Sequence, residues 1–370
     1  MHRIAVDAMG ADGAPRVEVA GVVSAVRQSE IAVILVGDEA RVRPELEALH
    51  AANDPRIEVR HAPVAITMDD APSMAVRQKK KASMRICFDL VKSKEADAVV
   101  SAGNSGAMMA CGLFVLGRLP GVERPAIVTS LPTRTGECAL LDMGANVDPK
   151  PTTMAQWAVL GSVYARLLHN KPRARVGVLS NGSEEHKGTA LTRETHQILL
   201  GARGATGGAG IPGRPSADFD YIGYVEGREV FSGDVDVVVT DGFTGNVVLK
   251  SVEGAAEVIM TMVKEEIGRA GLLARLGAAL MIKPLRRLKD RTDYAEYGGA
   301  PLLGVDGVAL VCHGGSNARA IANAVRVAGR FAQSGLGTES TAAIARHAFL
   351  WSGEAAGGPR AGLAAEGGAS

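Results

Sequence analysis

The sequence lacks the features that mark several protein classes. Its 370 residues contain four cysteines and no Cys-x-x-Cys pair, so neither a disulfide framework nor a cysteine zinc site is predicted. The longest apolar run, residues 106–117, ends at Arg118 and falls short of the ~20 residues that span a bilayer. Met1 is followed within three residues by a predicted strand, so no secretory signal is expected. A reduced, cytoplasmic protein is therefore predicted.

Net charge and aromatic residues are also scarce. Lysine and arginine total 41 against 40 acidic residues, a net charge of +1, and aromatics make up 4% of the chain. Because nucleic-acid-binding proteins use basic and aromatic surfaces, no nucleic-acid partner is predicted. The Walker loop, the Gly-x-Ser-x-Gly elbow and the His-Glu-x-x-His helix are absent. We therefore expect no covalent serine catalysis, no metal and no cofactor.

Glycine, in contrast, is abundant, with 45 residues. Short runs rich in β-branched residues lead into glycine-containing polar turns and then into helix-compatible segments, which is typical of βαβ units. The runs are residues 4–6, 33–36, 98–100, 140–141, 176–179, 237–239 and 310–312. Continuous apolar runs indicate strands buried on both faces. The predicted fold is a three-layer α/β/α sandwich with a mostly parallel mixed sheet.

The chain is predicted to form one large α/β unit over residues 1–345. Residues 99–107 and 237–247 share one plan of strand, polar glycine loop and helix, which hints at two intertwined halves. Residues 201–215 are interpreted as a flexible loop rich in glycine and proline, and residues 352–370 as a disordered tail. The loop contains Gly208-x-Gly210-x-x-Gly213, which we reject as a dinucleotide motif because no strand precedes it.

Ligands of parallel sheets bind beyond the carboxyl ends of the strands, so the polar turns are expected to gather along one edge. Backbone N–H groups in such turns can bind an anion, because glycine leaves room for a close approach. The strongest local signal contains Asn104, Ser105 and Gly106. Two interpretations stay open for it, an anion site and an ordinary tight turn with a helix cap.

Three charged residues in these turns are candidates for chemistry. Lys187 could neutralise a phosphate or be a solvated charge at a helix start, Asp241 stands among backbone donors, and His313 is a candidate general acid or base at a strand end. The other candidate substrate contacts occupy equivalent turn positions: Asp7, Gly10, Asp12, Asp142, Asn146, Asn181, Glu184, Gly242, Asn246 and Ser316.

Two segments are strongly basic. The first carries Arg77, Lys79, Lys80, Lys81 and Arg85. The second lies in a basic amphipathic helical hairpin predicted over residues 255–295, with Leu272, Leu273, Leu276, Leu280, Lys283, Arg286 and Arg287 as its marked residues. Such segments can receive an acidic protein or lie on an anionic membrane, and the hairpin can equally pack at a dimer interface.

Taken together, these motifs resemble the PlsX family, the acyl-acyl-carrier-protein:phosphate acyltransferases of bacterial phospholipid synthesis. The likeness is carried in order by residues 7–12, 79–85, 101–107, 141–146, 182–188, 225–228, 241–246, 297–304 and 313–316. It implies a fold like isocitrate dehydrogenase and phosphotransacetylase, and a homodimer. It further implies peripheral association with the inner face of the plasma membrane, near the membrane glycerol-3-phosphate acyltransferase that uses acyl phosphate.

The reaction that the resemblance implies is attack of inorganic phosphate on a long-chain acyl-[acyl-carrier-protein], giving acyl phosphate and free carrier. On this hypothesis Asn104, Ser105, Gly106 and Asn246 hold phosphate or the oxyanion, Lys187 neutralises charge, His313 donates the proton, and Asp142 and Asp241 orient these groups. The acidic carrier docks on residues 77–85 or on the hairpin. The alternatives are transfer between acyl-CoA and phosphate, and a non-catalytic scaffold that binds carrier protein and membrane.

Overall fold

A computed structural model describes residues 1–203, 217–271, 277, 280, 281, 283 and 298–352. Several predictions fall outside these described residues. They concern most of the 201–215 loop with its Gly-x-Gly-x-x-Gly motif, the tail beyond residue 352, and the hairpin residues Leu272, Leu273, Leu276, Arg286 and Arg287.

The described residues form a continuous sheet of eleven strands in the order β3-β2-β1-β4-β11-β10-β5-β6-β9-β7-β8. The strands are β1 (His2–Asp7), β2 (Ile31–Gly37), β3 (Ile57–His61), β4 (Ala98–Ser101), β5 (Ala126–Pro132), β6 (Glu137–Leu141), β7 (Arg175–Leu179), β8 (Asp220–Val225), β9 (Val237–Val239), β10 (Ala300–Leu303) and β11 (Val308–Val311).

Helices connect most of these strands. They are α1 (Arg16–Gln28), α2 (Glu39–Ala48), α3 (Pro72–Gln78), α4 (Ser83–Lys92), α5 (Ser105–Cys111), α6 (Pro151–Leu168), α7 (Ala190–Leu200), α8 (Gly242–Arg269), α9 (Ala318–Gln333) and α10 (Leu336–Arg346). A π-helical segment, Gly112–Leu116, continues α5 directly.

The strands predicted from β-branched runs are confirmed as β1, β2, β4, β6, β7, β9 and β11. The prediction missed β3, β5, β8 and β10. Of these, β5 and β10 lie side by side in the middle of the sheet, where β10 is antiparallel to β11 and to β5, and β5 is antiparallel to β6. These three antiparallel pairings reverse the strand direction between the two halves of the sheet.

Buried apolar residues cover both faces of the sheet, as the continuous apolar strands predicted. Along β1, for example, Ile4 and Val6 belong to one buried cluster and Ala5 to the other. The first cluster packs against α1, α2, α6, α7, α9 and α10, and the second against α3, α4, α5 and the start of α8. The three-layer sandwich and its mixed, mostly parallel sheet are confirmed.

Helix α8 departs from this layered packing. Among its 28 residues only Gly242 and Gly245 are buried, and residues 255–269, predicted to begin the hairpin, form its second half. Large apolar side chains on this half are exposed: Val258 by 57%, Ile259 by 58%, Met262 by 60% and Val263 by 37%. In the described part of the chain, no helix is both long and apolar enough to cross a membrane.

Candidate active site at the strand ends

The polar turns form two groups, not the single row that the sequence predicted along one edge. The first group follows β1, β4 and β11, which are parallel neighbours. The second follows β6, β9 and β7, which are also parallel neighbours but run in the opposite direction. The single-edge prediction was wrong because β5 and β10, the strands that reverse the direction, were not recognised.

Asp7 forms the floor of the first group. Its buried carboxylate accepts hydrogen bonds from Ser101 Oγ at 2.7 Å and from the Met9 amide at 3.1 Å, while burial raises its pKa above the usual range. Ser101 Oγ in turn accepts a hydrogen bond from the Gly103 amide at 3.1 Å. Asp7 therefore stabilises the turn after β4 through Ser101. Because it is buried, it is not the exposed substrate contact that the sequence predicted.

Glycine lets the turns of the first group touch. A Cβ on Gly10 would lie 2.7 Å from the Gly103 amide nitrogen, too close for any other residue. The same turn reaches the end of β11, because the Asp12 amide donates to the Gly314 carbonyl at 3.0 Å. The predicted meeting of the turns after β1, β4 and β11 is thus present within this half.

The Asn104 side chain has the second of the two roles that the sequence left open, that of a helix cap. Its Oδ1 accepts a hydrogen bond from the Ala107 amide at 3.0 Å, which caps α5. Its Nδ2 lies 3.3 Å from each of the carbonyl oxygens of Thr67, Met68 and Asp70. The side chain is thus committed to structure. The next two residues, Ser105 and Gly106, are exposed at the start of α5 and leave their backbone open to a ligand.

His313 is exposed at the end of β11. Its Nδ1 accepts a hydrogen bond from the Gly315 amide at 3.1 Å, so the proton of the neutral ring is on Nε2. Ser316 is buried, and its amide donates to the His313 carbonyl at 2.9 Å. The turn therefore fixes both the backbone and the tautomer of His313.

Glu18 is a member of the first group that the sequence did not single out. It is fully buried in the first turn of α1, and its Oε1 accepts a hydrogen bond from the Ala11 amide at 2.7 Å. Burial raises its pKa to about 7. An acid three residues into a helix resembles an ordinary capping residue, which is why its burial could not be predicted from the sequence.

Asp142 forms the floor of the second group. Its fully buried carboxylate accepts hydrogen bonds from the amides of Ile127 (3.0 Å), Ala145 (3.3 Å) and Asn146 (2.6 Å), and from Asn146 Nδ2 (3.0 Å). Burial nevertheless raises its pKa. Asn146 is buried too, and its Nδ2 also donates a hydrogen bond to the Pro125 carbonyl oxygen at 2.8 Å. Both residues therefore shape the turn from inside.

The start of α8 packs directly on this turn. Asp241 caps the helix, since its carboxylate accepts hydrogen bonds from the Thr244 amide at 2.8 Å and from Thr244 Oγ1 at 2.7 Å. The Gly242 amide donates to the Asn146 carbonyl at 2.8 Å. Asn246 is exposed on the first turn of α8, beside Gly144. Of the predicted residues here, Asn246 is the side chain that a ligand can reach.

The turn after β7 carries Asn181, Glu184 and Lys187. Asn181 Oδ1 accepts a hydrogen bond from the Gly188 amide at 2.9 Å, which closes the turn. Glu184 is exposed and Lys187 half-buried, and both side chains fold against Gly182, where a Cβ would lie 2.7 Å from Glu184 Oε2 and 2.9 Å from Lys187 Cγ. Lys187 is thus held at the carboxyl end of β7, next to β9.

The two groups border one face of the sheet. Helices α5 and α8, which begin in the first and the second group, both contact the buried cluster that contains Met108 and Met143. Five strand-to-strand steps separate β4 from β9; at about 20–25° of twist per step they rotate the strands by about 110°. At this twist the strands of the two groups cross at a steep angle instead of running straight against one another.

Two cavities among the described residues lie elsewhere. One, of about 470 Å³, is lined by residues at the amino ends of β4 and β11, including Asp97 and Val308, and the other, of about 550 Å³, is lined by residues that include Asp38 and His61. The first of them thus lies at the ends of the strands opposite to the first group of turns. In the described part of the chain, no cluster of three or more His, Cys, Asp or Glu side chains has the arrangement of a metal site.

Comparison with known proteins decides the family. Residues 2–338 match the family described as "Fatty acid synthesis protein". The chain belongs to this family. It is 52% identical over 334 residues to "Phosphate acyltransferase" of Geotalea daltonii, and 51% identical to "Phosphate acyltransferase" of Geobacter sulfurreducens, covering 90% of this chain and 92% of each relative. The PlsX resemblance and the predicted acyltransferase class are confirmed.

Solved structures support the fold of this family member. A phosphotransacetylase from Streptococcus pyogenes aligns with a TM-score of 0.55 at 17% identity, covering 90% of this chain and 94% of that chain. A branched-chain phosphotransacylase from Enterococcus faecalis aligns with a TM-score of 0.54 at 12% identity, covering 90% and 100%. The predicted likeness to the phosphotransacetylase fold is confirmed.

Proposed function

We propose that this protein transfers a long-chain acyl group from acyl carrier protein to inorganic phosphate, giving acyl phosphate and free carrier in bacterial phospholipid synthesis. The observation that carries the proposal is the family membership, which extends over almost the whole chain and includes every turn of both groups. An acyl phosphate is a reactive mixed anhydride, so a following enzyme must consume it. The predicted membrane acyltransferase for glycerol 3-phosphate is such a consumer.

In the proposed reaction, a phosphate oxygen attacks the thioester carbonyl carbon. The new C–O bond forms a tetrahedral oxyanion, which collapses as the C–S bond breaks and the electron pair leaves with sulfur. The leaving thiolate then takes a proton. The reaction therefore needs a cradle for phosphate, donors for the oxyanion and a proton source.

We propose that the two groups of turns form the walls of one cleft and that residues on these walls supply the three functions. The exposed backbone of Ser105 and Gly106 on one wall and the side chain of Asn246 on the other hold phosphate or the oxyanion. Lys187 neutralises the phosphate charge, and His313 donates the proton. Asp142, Asp241 and Asn104 act indirectly, because hydrogen bonds inside the turns occupy their side chains.

The decisive test measures release of free carrier from palmitoyl carrier protein, with and without phosphate. We expect release only with phosphate, and formation of palmitoyl phosphate in equal amount. Replacing His313 with Gln should lower turnover by about 10²-fold, as loss of a proton donor does. Faster reaction with palmitoyl-CoA than with the carrier would favour the phosphotransacetylase alternative, and no phosphate-dependent loss of thioester would favour the scaffold.

The exposed half of α8 supports the predicted dimer. Val258, Ile259, Met262 and Val263 follow the i, i+1, i+4, i+5 spacing of a single helix face. We propose that this face packs on a second copy of the chain, and that Leu280, which is 86% exposed, contacts the membrane surface. Sedimentation should give twice the chain mass; a monomer that still makes palmitoyl phosphate would contradict this role.

A further inference from the structure

The basic segment between residues 77 and 85 contains two kinds of cation. Lys79 Nζ lies 2.6 Å from Asp70 Oδ2, and Arg85 Nε lies 3.2 Å from Asp89 Oδ1, so these two hold the segment to its surroundings. Lys80 and Lys81 are exposed, and within the described residues neither takes part in an ion pair. Only part of the charge run therefore presents a surface to a partner.

A third cation is held over an aromatic ring. The guanidinium carbon of Arg77 lies 5.0 Å from the centre of the Phe114 ring, a cation–π contact that fixes its position. Phe114 is 51% exposed, and Met74, on α3, is 56% exposed. Two large apolar side chains beside unpaired cations are typical of a protein interface and atypical of a solvated surface. We call Met74, Arg77, Lys80, Lys81 and Phe114 the α3 surface.

The α3 surface adjoins the candidate active site. Helix α3 begins at Pro72, whose Cγ would lie 2.7 Å from a Cβ placed on Gly106, so the two helix starts touch. The seven residues of α3 extend about 10 Å away from this contact, at about 1.5 Å per residue. A partner bound on the α3 surface could therefore deliver a group on a flexible arm to Ser105 and Gly106.

We infer that the α3 surface is the docking site for the acyl carrier protein, and that this acidic partner contacts the surface through carboxylates and an apolar side chain. This inference rests on the proposed function. The carboxylates of the partner pair with Arg77, Lys80 and Lys81 at the rim, and its apolar side chain covers Met74 and Phe114. Lys79 and Arg85, predicted from the sequence as docking residues, have structural roles and do not contact the carrier.

The test compares three variants of the full-length protein with palmitoyl carrier protein. Lys80→Glu with Lys81→Glu should raise KM for the carrier by about tenfold or more at low salt and leave kcat within twofold, because reversed rim charges slow association. The effect should shrink at about 0.5 M salt, where exposed charges are screened. Met74→Ala with Phe114→Ala should raise KM by a similar factor that does not depend on salt.

The control reverses two exposed arginines elsewhere, Arg43→Glu with Arg124→Glu, and changes the net charge equally. Unchanged KM in the control together with a raised KM in the lysine variant supports docking; an equal rise in both, or no rise in either α3-surface variant, overturns it. Melting curves verify that every variant is folded. Failure of the proposed function is separate, since wild-type protein would then release no carrier in response to phosphate.

Discussion

The helices that begin in the two groups of turns are capped differently. On α5 the cap is Asn104, whose amide also contacts three carbonyl oxygens in a separate segment of chain. On α8 the cap is Asp241, whose two oxygens both serve Thr244, three residues ahead. The Asn104 side chain therefore ties the first helix start to a neighbouring segment, while the Asp241 side chain bonds within the first turn of its own helix.

The two groups also differ in how their buried carboxylates are hydrogen-bonded. The carboxylate of Asp142 has four donors within 3.3 Å. In the first group, Asp7 has Ser101 and Met9 as donors, and Glu18 nearby has one satisfied oxygen, while its Oε2 is buried without a hydrogen bond among the described residues. The floor of the second group is thus a carboxylate with both oxygens hydrogen-bonded, whereas the first group contains a buried acid with one oxygen left without a hydrogen bond among the described residues.

The largest expected effect tests the fixed character of the second group. A Cβ on Gly245 would overlap the carbonyl oxygen of Asp142, and that backbone cannot shift without breaking the floor. Gly245→Ala should lower the free energy of unfolding by about 3 kcal/mol or more, as overpacking against a rigid neighbour does. Urea unfolding followed by circular dichroism measures the loss.

The matched control lies in the same helix. A Cβ on Gly254 would meet no atom within 4 Å, so Gly254→Ala should stabilise the protein by about 0.5–1 kcal/mol through the better helix propensity of alanine. A tolerated Gly245→Ala would mean that the second group adjusts as readily as the first, and the contrast between them would fail.

The next effect concerns the buried acid of the first group. Burial places the pKa of Glu18 at about 7 in the folded protein, above its ordinary value of 4.5, so the folded state binds this proton more tightly than the unfolded state. The stability that it contributes is present below pH 4.5 and is lost as pH rises through 7. The loss is roughly 3 kcal/mol, at about 1.4 kcal/mol per pKa unit.

Glu18→Gln removes this titration while its carbonyl can still accept from the Ala11 amide. As pH rises from 5 to 8, the free energy of unfolding of the variant should increase relative to that of the wild type, because only the wild type loses the Glu18 contribution. Urea titration at each pH measures this difference. Glu257→Gln on the exposed side of α8 is the control and should follow the wild-type curve. Parallel curves for wild type and Glu18→Gln would show that Glu18 has an ordinary pKa.

Much of this architecture could be predicted from the sequence, because the parallel strands are continuous apolar runs that end in glycine turns. Strand β10 could not, since Ala300–Leu303 has only four residues and no β-branched side chain. Strand β5 mixes apolar and polar residues from Ala126 to Pro132. The two groups of turns were recognised as loops, but their opposite directions follow from these two strands and were missed.

The roles of individual side chains were harder to predict from the sequence than the strands. Asp7 and Asp142 were identified as site residues from their positions after strands, yet both are buried braces, because the direction of a side chain at a strand end depends on its register. Glu18 showed no pattern at all, since its burial results from the packing of α1 beneath a turn seven residues earlier in the chain.

The smallest expected effect separates the two caps. Asn104→Asp keeps an oxygen for the Ala107 amide but replaces the donor that faces Thr67, Met68 and Asp70 with a second oxygen. Repulsion from these carbonyls should release that segment from the start of α5, at a cost of about 1–2 kcal/mol, and should lower turnover of palmitoyl carrier protein by about tenfold, measured as release of free carrier.

Asp241→Asn is the counterpart on α8. Its amide oxygen can still accept from the Thr244 amide, and its amide nitrogen can donate to the Thr244 hydroxyl, so both stability and turnover should change little, within about 0.5 kcal/mol and twofold, because asparagine and aspartate are comparable caps. If Asp241→Asn lost as much activity as Asn104→Asp, the Asp241 carboxylate itself would act in the reaction. The α8 start would then belong to the chemistry as directly as Ser105 and Gly106, and its self-contained cap would not be a purely structural device.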